Sequence, residues 1–63
     1  MLLHDFFGEG KYSNRKASVF KEGDDYLVYM IQDMAVIEER RITGRSEQYA
    51  EDCAENWVLG VIQ

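Results

Sequence analysis

The stretch Ser46-Glu47-Gln48-Tyr49-Ala50-Glu51-Asp52-Cys53-Ala54-Glu55-Asn56-Trp57-Val58-Leu59-Gly60 constrains this chain more than any other. At 100° per residue, Tyr49, Ala50, Cys53, Ala54, Trp57 and Val58 fill one half of a helical wheel, and the acids and amides fill the other. Ser46 has the side chain of an N-cap, and Glu47 puts negative charge at the positive end of the helix dipole. Gly60 suits the left-handed position past the last turn, with Val61 placed to fold back against the helix. The pattern predicts a helix over residues 46–60. An amphipathic helix has to lay its apolar half on something, so the rest of the chain must provide a second layer.

Residues 15–43 supply it. Arg15 to Glu22 reads as a strand, and Gly23-Asp24-Asp25 as a turn. Tyr26 to Gln32, Tyr-Leu-Val-Tyr-Met-Ile-Gln, is the most apolar run and the expected central strand. Asp33-Met34 reads as a tight turn lacking the usual glycine. Ala35 to Thr43 follows as a third strand, whose Glu38-Glu39-Arg40-Arg41 suits a sheet edge, where charge discourages further pairing. Short turns enforce antiparallel neighbours. The expected fold is therefore α+β: a three-stranded antiparallel β-meander with one C-terminal α-helix on one face, in a single domain over residues 1–63, with residues 1–14 as an N-terminal arm. A three-residue first turn predicts one face with Phe20, Val28, Met30 and Ile37. The other then carries Ala17, Val19, Leu27, Tyr29, Ile31 and Val36. Both sets are apolar, and one helix covers only one of them.

The arm opens on Leu2-Leu3-His4-Asp5-Phe6-Phe7, a burst compatible with a strand, a helical turn or an extended arm. Its large apolar side chains are expected to dock, either on their own domain or on a partner. His4 and Asp5 are the one pair resembling a catalytic dyad. Adjacent residues rarely converge, however, and no nucleophile or phosphate loop accompanies them, so no catalytic residue is assigned. Asp24 and Asp25 read as turn residues, since the calcium-loop pattern is missing, and no Cys/His spacing suits zinc. No metal or cofactor is expected.

With 63 residues, 46% of them hydrophobic, the chain is globular yet short enough for its stability to be marginal. Its single cysteine excludes an internal disulfide, and Cys53 is expected as a buried, unreactive thiol. The net charge of −5 opposes general nucleic-acid binding. Phe20, Tyr26 and Tyr29, with Arg15, Lys16, Arg40, Arg41 and Arg45, nevertheless supply the ingredients of a nucleic-acid-binding sheet, which is the alternative reading. Asp5 follows Met1-Leu2-Leu3 at once and no apolar run approaches membrane-spanning length. The expectation is a cytoplasmic protein without a leader and without membrane contact.

The segment from Ser46 to Trp57, following the Val19-Phe20-Lys21-Glu22-Gly23-Asp24 hairpin, resembles small uncharacterised accessory proteins of marine tailed phages, of the cyanophage and ocean-metagenome kind. The resemblance spans roughly residues 17–62, and its most specific part is Tyr49-Ala50-Glu51-Asp52-Cys53-Ala54-Glu55-Asn56-Trp57. Such proteins have no assigned activity. The resemblance thus implies a viral accessory protein in a host cytoplasm and carries over no site residues. Asp33-Met34 departs from the Asp-Gly turn of such hairpins. The resulting functional expectation is a non-catalytic interaction module or homodimer, or a binder of a host or phage protein. Its interface candidates are Leu2, Leu3, Phe6, Phe7, Val28, Tyr29 and Met30.

Overall fold

A computed structural model of the chain describes residues 1–61. Strands β1 (Leu2–Phe7), β2 (Arg15–Glu22), β3 (Asp25–Gln32) and β4 (Ala35–Ile42) precede helix α1 (Glu47–Val58), with a 3-10 turn at Gly10–Tyr12 between β1 and β2. The sheet is an antiparallel meander in the order β1-β2-β3-β4. The α+β class and C-terminal helix agree with the sequence reading, but the sheet has four strands where three were predicted. The N-terminal arm is itself the added edge strand. It pairs with β2 from Leu2↔Phe20 to Phe7↔Lys16, and an irregularity between Leu2 and His4 breaks its period-two alternation. That bulge lets Leu3 and Phe6 both pack on the core, a spacing that strict alternation forbids.

The β2–β3 turn also differs from expectation. Glu22 pairs with Asp25, so the turn holds two residues, Gly23 and Asp24, and not three. Gly23 has φ +60° and Asp24 is not left-handed, as a type II′ hairpin turn requires. Removing one loop residue shifts the register, which moves every β2 side chain to the opposite face. Ala17 and Val19 consequently share a face with Val28 and Met30, and Phe20 joins Leu27, Tyr29, Ile31 and Val36. A second irregularity, between Met30↔Glu38 and Ile31↔Val36, leaves Ile37 as an extra residue on β4. Ile37 does not share the Met30 face as predicted, and it is exposed.

The helix lies over β1, β2 and β3. Beneath it Ala17, Val19, Val28, Met30 and Ile42 meet Ala50, Ala54, Trp57 and Val58 in one buried cluster. Ala50 and Ala54 are fully buried, and their small side chains allow the close approach. The Ser46 Oγ accepts from the Tyr49 N–H at 3.2 Å, confirming the cap. At the other end the Gly60 N–H donates to the Trp57 carbonyl at 3.0 Å and the Val61 N–H to the Asn56 carbonyl at 2.8 Å, the paired bonds of a Schellman motif. Gly60 has φ +78°, and a Cβ there would run into the Tyr12 ring. Val61 stays exposed and does not fold back. Arg15 ties the helix end to the sheet. Its guanidinium lies between the Tyr12 and Trp57 rings, 4.5 and 4.7 Å from their centroids. Its Nη1 donates to the Trp57 carbonyl at 2.8 Å, so a cation sits at the negative end of the helix dipole.

Two helix-face expectations are corrected. Tyr49 lies at the rim, half exposed beneath the Arg45 guanidinium. Cys53 is half-buried and not fully enclosed, and Arg40 reaches across from β4 to donate Nη1 to its Sγ at 3.3 Å.

Candidate interaction surface

The sheet face opposite the helix is built in rows by the strand register. One row holds Leu2, Phe20, Leu27 and Arg41; the next holds Asp5, Ser18, Tyr29 and Glu39; the third holds Phe7, Lys16, Ile31 and Val36. Among the described residues no element lies over these rows, although Leu27 and Ser18 are buried between their neighbours. A shallow depression lined by Phe20, Leu27, Tyr29, Ile31 and Val36 runs along the middle. It continues past Ile31 and Phe7 to the β3–β4 turn, where Met34 projects with 98% of its surface exposed. Phe7 and Val36 are exposed on the two edges. Phe20 and Tyr29 meet edge to face at 5.3 Å.

Charges frame the apolar strip. At one end Arg41 bridges Glu22 at 2.9 Å and Asp25 at 2.7 Å. On the β1 side the Ser18 hydroxyl donates to Asp5 Oδ1 at 2.6 Å. Beside Tyr29 stands Glu39, its cross-strand neighbour. The Glu39 carboxylate, by hydrogen bonding to the neutral phenol and by charge, holds Tyr29 above its ordinary ionisation range, with burial adding to the effect. Lys16 lies over the Phe7 ring at 5.7 Å and has no ion-pair partner among the described residues.

The predicted interface residues separate on this geometry. Leu2, Phe7 and Tyr29 lie on the uncovered face. Leu3 and Phe6 turn the other way and pack against the helix-side core. Val28 and Met30 are completely buried under the helix and have no surface to offer. The β2–β3 register explains those last two corrections, because it assigns the Ala17–Val19 set to the helix. The same shift brings in Phe20, Ile31 and Val36, and the tight β3–β4 turn brings in Met34. The signal of that register in the sequence was the Gly23-Asp24 pair, whose leading glycine suits a two-residue type II′ turn with Asp25 opening the strand.

His4 and Asp5 fall on opposite faces. His4 pairs with Val19 and stacks on Phe6 at 4.3 Å, while Asp5 pairs with Ser18. They form no dyad. Among the described residues no cluster of His, Cys, Asp and Glu is spaced to hold a metal ion, and no helix is long and apolar enough to cross a membrane. No protein-family model, curated protein or solved structure matches the chain.

Proposed function

We propose that this protein is a non-catalytic interaction module that works by docking its uncovered sheet face onto another protein surface. The observation that supports this is the two-sided apolar sheet. A half-solvated antiparallel sheet alternates apolar and polar residues, whereas β3 is apolar or aromatic from Tyr26 through Ile31, and the helix covers only the Val28–Met30 side. Contiguous apolar surface of that kind marks interfaces. The edges are poor docking sites by comparison: β4 carries Glu38, Glu39, Arg40 and Arg41, and β1 is short and bulged. The sequence resemblance to phage accessory proteins suggests a host cytoplasm as the setting.

The Phe20–Tyr29 pair gives the nucleic-acid reading its one favourable feature, since bases stack on aromatic rings. Its electrostatics point away from phosphate. Asp5, Glu22, Asp25 and Glu39 share the face with Lys16 and the already paired Arg41, while Arg15, Arg40 and Arg45 serve the helix side. Two measurements test the proposal. A photo-crosslinker at Val36 should give protein–protein adducts, and one at Gln48 on the outer helix face should not. Equal yields from both sites would refute the assignment. A single-stranded oligonucleotide titration at low salt should show no saturable affinity; salt-sensitive binding weakened by Arg40→Glu would replace this reading with the nucleic-acid one.

A further inference from the structure

Resting on that reading of the face, we infer that its occupant is a second copy of this chain, packed sheet to sheet about a twofold axis that crosses the strands between the Ser18–Tyr29 and Lys16–Ile31 rows. The register carries the argument. These rows are neighbours on one face, about 7 Å apart along the strands. An axis midway between them, perpendicular to the strands, exchanges the rows of the two copies. Tyr29 of each copy then lies on Ile31 of the other, which is the apolar centre of the face.

The charges fit the same operation. Lys16 is the cation on this face without an ion-pair partner among the described residues, and Asp5 is engaged only by the Ser18 hydroxyl. Exchanging the rows sets each Lys16 over the other copy's Ser18, one strand from its Asp5, so the Lys16–Asp5 pairing occurs twice. An axis running along the strands would instead oppose Asp5 to Glu39, two carboxylates. The crossing axis also brings each β3–β4 turn over the other copy's Leu27 row, where the exposed Met34 meets the aliphatic stem of Arg41 beside the buried Leu27. Glu22 and Asp25 fall beyond the partner's turn at the solvated rim, and Arg41, in the Leu27 row, keeps its bridges to both from there.

The overlap is modest. Four strands about 4.8 Å apart, overlapping over about 20 Å from the β3–β4 turn to the Leu27 row, cover on the order of 400 Å² per protomer, about half the roughly 800 Å² per partner of a standard stable interface, which fits a weak, concentration-dependent dimer. Closed twofold dimers are also the commonest solution for a self-complementary patch.

Light scattering over a micromolar to high-micromolar dilution series tests the inference, read against the 7.4 kDa chain mass. The wild-type protein should show twice that mass at the concentrated end. Lys16→Glu should weaken association by about tenfold or more, and adding Asp5→Lys should recover most of the loss. Met34→Gly should weaken association while leaving the monomer folded, as its circular dichroism would show. A wild-type protein that stays at the single-chain mass throughout overturns the second-copy inference and leaves the face available to a different protein. A dimer indifferent to Lys16→Glu and Met34→Gly uses another surface, and overturns both the inference and the docking role of this face.

Discussion

Met34 occupies a backbone conformation that its side chain disfavours. Asp33 has φ +53° and Met34 φ +69°, the paired left-handed residues of a type I′ hairpin turn. Asn14 stabilises the turn from outside, accepting from the Asp33 N–H and donating Nδ2 to Asp33 Oδ1, each at 3.0 Å. The left-handed conformation costs a non-glycine residue about 1–2 kcal/mol, part of which a glycine returns through its freer unfolded state. Met34→Gly should therefore stabilise the isolated fold by about 0.5–1 kcal/mol, measured by urea unfolding of dilute protein. Tyr29 offers a second test at the same scale. Its ionisation is raised from 10.0, first by the hydrogen bond with Glu39 and then by burial. The fold therefore favours the neutral phenol more than the unfolded chain does. The corresponding stability is fully present below pH 10.0 and is lost as pH rises through the elevated value. An ultraviolet titration should show one late-ionising tyrosine, and Glu39→Gln should bring it back toward the others.

The helix and its Trp57 anchor the second layer. Trp57 is buried at the helix end against the core and under Arg15. Trp57→Ala should cost about 3–5 kcal/mol, a large share of the stability of so short a chain. Thermal unfolding with an unchanged midpoint would place Trp57 outside the core. This element was the most legible part of the sequence, because its cap, apolar half and terminal glycine all act within one turn or along one helix. β2, β3 and β4 were legible for a related reason, each being an apolar or charged run between turn residues. What escaped was decided by non-local backbone pairing. Leu2–Phe7 showed no clean period because its bulge turns both Leu3 and Phe6 inward. The β2 faces hinged on whether Asp25 closed the turn or opened the strand. Since one residue of register exchanges whole faces, the sequence reading found two apolar sets but gave Val28 and Met30 to the candidate interface, although the helix covers them.

At the scale of the whole molecule, four strands and one helix leave an imbalance: a sheet apolar on both sides and a single covering layer. The three methionines report on how that imbalance is resolved, because the fold places them differently. Met30 is fully buried beneath the helix, Met1 is largely exposed at the chain start, and Met34 stands at the end of the uncovered face, exposed over 98% of its surface. Oxidation of a thioether to the sulfoxide follows access. Mild peroxide treatment, followed by site-resolved mass spectrometry at low and high protein concentration, reads all three at once. Met30 should resist throughout, and Met34 should react quickly when dilute and slowly when concentrated, as the second copy seats on it; Met1, which lines the far end of the same depression, is no control for this. Met34 oxidising equally fast at every concentration would contradict the dimer.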